Sequence, residues 1–87
     1  MADYRLLIKA SAAKEIEAVG TKADRRRLVG RNQALADDPR APGAEKLAGY
    51  EDRYRIRQVQ YRIIFLIDDD RREVTIFKVG HRRDVYR

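Results

Sequence analysis

Between Arg53 and Ile67 the residue order leaves little choice of secondary structure. Tyr54 and Ile56 interleave with Arg53, Arg55 and Arg57, and the run from Tyr61 to Ile67 is then almost wholly apolar. Strict alternation is the mark of a strand with one buried face and one wet face. A short apolar run on its heels predicts a second strand, central in the same sheet. Arg62 interrupts that run near its start, a place where a charge is seldom put unless it faces a cleft or a counter-ion. Val74, Ile76 and Lys78 then alternate with Thr75, Phe77 and Val79 in a third strand, which Gly80 ends. Together these segments predict a three-stranded antiparallel meander with arginines along one face.

The preceding fifty residues read as scaffold. Tyr4, Leu6 and Ile8 alternate with Arg5 and Lys9, which predicts an N-terminal strand. Ser11 is placed to cap a helix whose inner face is Ala12, Ala13, Ile16 and Val19, and Gly20 to end it in a left-handed conformation. Thr21 with Asp24 three positions on resembles a capping box. The second helix runs to about Asp37, with Leu28, Val29, Ala34 and Leu35 inward, until Asp38-Pro39 stops it. A two-residue joint makes the two helices a hairpin. Arg25, Arg26 and Arg27 cover most of a helix circumference, so they cannot all face one ligand. Pro42-Gly43 marks a loop, and Asp68-Asp69-Asp70 a polar turn whose carboxylates diverge rather than converge on a metal. The expected architecture is α+β over a single domain, residues 1–87, with the helical hairpin packed on one sheet face and the arginines gathered on the other.

Charge distribution says more than the total of +6. Up to Asp52 there are ten Lys/Arg against nine Asp/Glu, whereas from Arg53 onward there are ten against five. Arginine outnumbers lysine fifteen to five, and its planar fork suits phosphate oxygens and stacks on bases. The run from Arg53 to Ile67 contains no carboxylate, which points to an anionic ligand across the arginine face rather than internal neutralisation. With no cysteine there is neither a disulfide framework nor a thiolate metal site. The longest apolar run is too short for a bilayer, and Met-Ala-Asp-Tyr-Arg lacks the apolar core of a signal peptide, so a cytoplasmic location is expected.

Several reactions drop out for lack of parts. There is no glycine-rich phosphate loop, no histidine pair, and no serine beyond Ser11. The C-terminal third offers Arg55, Arg57, Arg62 and Arg82, with His81 and Tyr86. Cleavage of RNA by its own 2′-hydroxyl suits such a set, since it needs neither a metal, a cofactor nor a protein nucleophile. It needs an in-line phosphate, charge stabilisation, a base and an acid. Arginine supplies the charge and is a poor base.

Those residues carry a resemblance. Tyr54-Arg55-Ile56-Arg57, Tyr61-Arg62-Ile63-Ile64-Phe65 and Val79-Gly80-His81-Arg82-Arg83-Asp84-Val85-Tyr86, following Lys46-Leu47-Ala48-Gly49, resemble RelE-type toxins of the RelE/ParE toxin–antitoxin superfamily. The similarity covers essentially the whole chain. It implies the microbial RNase fold of that superfamily and an mRNA interferase that cuts mRNA in the ribosomal A site, leaving a 2′,3′-cyclic phosphate and a 5′-hydroxyl. It also implies an acidic cognate antitoxin as partner. By the resemblance, Arg62 clamps phosphate, Arg82 stabilises the transition state or protonates the leaving group, and Tyr86 stacks on a base. Arg55 and Arg57 stand where the founding member has two lysines, one of them its base. That substitution leaves His81 as the side chain of the motif whose ordinary titration lies near neutrality, and hence as the expected aid to proton transfer. Val59-Gln60 stands where similar sequences suggest Gly-Asp, so a distorted turn is expected. Two other readings stand beside this one: a ParE-like inhibitor of DNA gyrase, and a basic RNA-binding module without catalysis.

Overall fold

The computed structural model describes residues 3–58 and 60–81. Strand β1 (Arg5–Ile8) leads into helices α1 (Ala10–Glu17) and α2 (Lys22–Asp37). Strands β2 (Glu45–Lys46), β3 (Arg53–Gln58), β4 (Tyr61–Asp68) and β5 (Glu73–His81) follow. They form one sheet in the order β1-β5-β4-β3-β2. The antiparallel meander β3-β4-β5 is present, and the most apolar strand, β4, is central. The sheet is nevertheless mixed and wider than a meander. β1 joins β5 in parallel, and β2 adds to the outer edge of β3. A two-residue strand carries no periodicity, which is why β2 is invisible in the sequence.

Both helices cover the same sheet face. Ala12 and Ile16 of α1 and Leu28 and Leu35 of α2 are buried against Ile56 of β3, Ile63, Phe65 and Ile67 of β4, and Val74, Ile76 and Val79 of β5. Helix α2 starts as expected, with the Thr21 hydroxyl accepting from the Asp24 amide at 3.2 Å. The ends of α1 differ. Its N-cap is Lys9, without a side-chain cap, so Ser11 lies inside the first turn. Its C-cap is Ala18, and Gly20 is not left-handed; positive φ is used by Gly43, Gly49 and Arg72 instead. Arg25 serves the helix end in its place, its Nη1 donating to the Val19 carbonyl at 2.6 Å. Among the described residues no helix is long and apolar enough to cross a membrane. Val59 lies outside the described residues, and with it the expected distortion of its turn.

The strand β5 breaks its own alternation. Ile64 pairs with Lys78 and Phe65 with Ile76, so Phe77 is an extra residue opposite no partner, a β-bulge. Val74 and Ile76 face the helices before the bulge, and Val79 faces them after it. Unbroken alternation would have put Lys78 there. The core selects the bulge because it exchanges a lysine for a valine on the buried face.

A polar clasp closes the end of the sheet. The Tyr4 hydroxyl donates to Asp69 Oδ1 at 2.6 Å, and Arg40 grips both Asp69 oxygens at 3.1 and 2.8 Å. The Arg40 hydrogen bonds, reinforced by that of Tyr4, pull the Asp69 carboxyl down to about 2. The same contact with Asp69 pushes the Tyr4 hydroxyl above its ordinary value.

Candidate active site

On the sheet face away from the helices, strand register determines which arginines meet. Arg57 of β3 lies directly opposite Arg62 of β4, and Arg55 follows two residues along the same face, opposite Ile64. Ile56, between the two β3 arginines, points into the core and is 1% exposed. Arg55, Arg57 and Arg62, with Gly43 and Glu45, line a cleft of about 490 Å³. Arg62, the charge inside an apolar strand, thus faces a cleft.

Glu45 is the residue that sequence reasoning missed. Although the segment Arg53–Ile67 has no carboxylate of its own, β2 brings one in from outside it. Glu45 is the register partner of Arg55, and its Oε2 accepts from Arg55 Nη2 at 2.7 Å and Nε at 3.2 Å. The Arg55 hydrogen bond and charge, followed by the charges of Arg62 and Arg57, hold the Glu45 carboxyl below its ordinary range. The Glu45 side chain remains 64% exposed, so a ligand in the cleft can reach it. Three guanidiniums against one carboxylate leave the cleft cationic. The one available signal was a lone Glu beside a lysine ahead of Leu47-Ala48-Gly49, and nothing in it foretells pairing with Arg55.

His81 is not brought into this cleft. It pairs with Tyr61, whereas Arg62 pairs with Gly80, so His81 and Arg62 project from opposite faces. The bulge at Phe77 is the cause, because it shifts every later residue of β5 to the other side. His81 meets the Tyr61 ring edge-on at 5.9 Å. Together with Glu15, Val19 and Lys78 these two rings line a smaller concavity of about 310 Å³ beside α1. Glu15 there bonds Lys78 Nζ at 3.3 Å and the Val79 amide at 3.1 Å. Arg82 and Tyr86 lie outside the described residues.

The open face continues beyond the cleft as a row of cations on rings. Arg53 lies over Tyr50 at 4.4 Å and over Phe77 at 4.7 Å, and Lys9 over Phe77 at 4.2 Å. Of the helical arginine triplet, Arg27 lies 3.6 Å from Asp24 and Arg25 holds the hairpin corner, so these two serve different partners.

Among solved structures, the archaeal RelE–RelB complex from Pyrococcus horikoshii superposes with a TM-score of 0.81 at 27% identity, over 94% of this chain and 98% of that one. The isolated E. coli RelE toxin matches with a TM-score of 0.77 at 29% identity, over 95% and 90%. The Mycobacterium tuberculosis RelBE2 toxin–antitoxin complex shares the fold, with a TM-score of 0.81 at 21% identity over 92% and 99%. Comparison with curated proteins yields no match. The family model for the ParE toxin of the type II toxin–antitoxin system parDE matches residues 4–86. With nearly the whole chain matched and the fold shared with RelE toxins, the chain belongs to the RelE/ParE superfamily of type II toxins.

Proposed function

We propose that the chain is a ribosome-dependent mRNA interferase, acting in the cytoplasm and restrained by a cognate antitoxin. The observation that carries this reading is the cleft itself, with three guanidiniums and one exposed carboxylate around a space that takes a phosphodiester. Arg55, Arg57 and Arg62 hold the phosphate and stabilise charge on its oxygens as the 2′-oxygen bonds to phosphorus. Glu45 is ionised at neutral pH and accepts the 2′-hydroxyl proton. A phosphate entering the cleft competes for Arg55, and each bond that Arg55 gives up raises the basicity of Glu45. The bond from phosphorus to the 5′-oxygen breaks, and Arg82 either stabilises the charge on that oxygen, which then takes its proton from water, or protonates it directly, while Tyr86 stacks on a base, the roles that the resemblance to RelE implies.

The test is to add the purified protein to translating ribosomes and map mRNA ends, with a gyrase supercoiling assay in parallel. A-site cuts bearing a 2′,3′-cyclic phosphate and a 5′-hydroxyl are expected. The ParE family match favours a second reading, inhibition of gyrase. Lost supercoiling with intact mRNA would establish that reading in place of the first. Loss of neither would leave a binding module.

A further inference from the structure

The row of rings and cations beyond the cleft is not explained by the packing of this chain. Arg53 lies between two rings, 4.4 Å from the Tyr50 centroid and 4.7 Å from that of Phe77, and Lys9 covers Phe77 at 4.2 Å. Phe77 is the extra residue of the β5 bulge and stands outside the hydrophobic core. A bulge needs one more residue at that point, but not an aromatic one. Tyr50 is 48% exposed in the turn between β2 and β3. That turn holds it in place. The Tyr50 amide donates to the Leu47 carbonyl at 3.3 Å, and the Leu47 amide to the Arg53 carbonyl at 2.9 Å. Gly49 takes the positive φ, 84°, that the third position of such a turn requires. Exposed cation–π contacts stabilise a fold only weakly, so two rings on a wet face contribute little to this chain by themselves.

The row also continues the arginine cleft. Arg53, Arg55 and Arg57 alternate along β3, so Arg53 follows Arg55 on the same face at about 6.6 Å. An RNA strand held by its phosphate at Arg55 and running along β3 brings its next base over Arg53. We propose that Tyr50, Arg53 and Phe77 form a base-stacking subsite for the nucleotide next to the scissile phosphate, with a preference for a purine. Every base offers a π-face to an aromatic ring or a guanidinium plane, and stacking strength, which grows with ring area, sets the preference. An acidic peptide matches the cations, but a nucleic-acid strand supplies π-faces and charges in the alternation of ring and cation that the row shows. The inference rests on the cleft holding RNA, and it adds to the interferase reading a determinant of where the strand is cut.

The experiment measures binding of the full-length protein to short oligoadenylate and oligouridylate by fluorescence anisotropy, with every 2′-oxygen methylated so that no cleavage occurs. Wild type is compared with Tyr50→Ala, Tyr50→Phe and Phe77→Leu, each checked for native circular dichroism. Wild type is expected to bind oligoadenylate about fivefold more tightly than oligouridylate. Tyr50→Ala and Phe77→Leu should each weaken oligoadenylate binding by about fivefold or more and bring the ratio of the two affinities toward one, while Tyr50→Phe restores the preference. On ribosomes, the mapped cuts of wild type should lie beside purines, and Tyr50→Ala should lose that bias. Equal affinities of wild type for the two oligomers would overturn the proposal, as would Tyr50→Ala and Phe77→Leu both binding within twofold of wild type. So would weakened antitoxin binding by Tyr50→Ala with RNA binding unchanged, which would give the row to a protein partner. Cuts in the A site that ignore both substitutions would sink this inference and spare the interferase reading. Purine-selective binding that depends on Tyr50, in a protein that cuts no mRNA, would do the reverse.

Discussion

At the scale of single residues, two candidates for the proton acceptor lie on opposite faces of the sheet, and pH separates them. Glu45 is held below the ordinary carboxylate range, so it is fully ionised from mildly acidic pH upward. With Glu45 as base, cleavage of ribosome-bound mRNA is expected to show no acid limb between pH 5.5 and 8. A rate that falls steeply as the pH drops below neutrality would identify an imidazole instead. Glu45→Gln should lower the rate by about 10²–10⁴-fold, the range typical of a lost general base, while His81→Ala leaves the chemical step nearly intact. Single-turnover rates of the two variants decide the matter. Asn32 presents a different case. It is 1% exposed on the inner face of α2 between Leu28 and Leu35, and neither side-chain oxygen nor nitrogen finds a protein partner among the described residues. An unpaired buried amide is destabilising by about 1–3 kcal/mol. Asn32→Leu, of similar volume, should raise the urea midpoint by a corresponding amount without changing the slope of the transition.

Elements depend on their ends. The α2 cap was legible in the sequence, because Thr21 and Asp24 have the spacing that the hydrogen bond needs, and Thr21→Ala should lower stability by about 1 kcal/mol in chemical denaturation. The ends of α1 were not legible, since Ser11 and Gly20 have cap chemistry but the chain enters and leaves that helix under the direction of β1 and α2. The clasp of Tyr4, Arg40 and Asp69 joins the entry of β1 to the β4–β5 turn, and its pH signature follows from its signs. The folded-state carboxyl of Asp69 sits near 2, below its ordinary value of 3.8. The clasp therefore contributes fully above about pH 4 and is lost as the pH falls toward 2. Asp69→Asn should lower the melting temperature at pH 6, and the gap from wild type should close between pH 4 and pH 2. A gap that stays constant across that range would show that the carboxylate charge contributes nothing.

For the whole molecule, the mixed sheet acts as a divider, with a cationic open face and a face covered by the two helices. If the open face holds single-stranded RNA through Arg55, Arg57 and Arg62, the affinity should fall with salt at a logarithmic slope of about −2. Arg62→Ala should reduce that slope by about 0.7 in fluorescence anisotropy titrations. An unchanged slope would place the phosphate contacts elsewhere. The meander, the helical hairpin and the arginine identities of β3 and β4 follow from the sequence alone, because alternation and helical spacing are local patterns that burial on one side enforces. Tertiary structure decided the rest. Glu45 reaches Arg55 only because a two-residue strand pairs at the edge of β3, and no local pattern encodes that contact. His81 leaves the arginine face only because one extra residue at Phe77 reverses the later part of β5. Strand pairing and bulges are settled by what the far side of the sheet must bury, and a period-two pattern cannot report where its phase will slip.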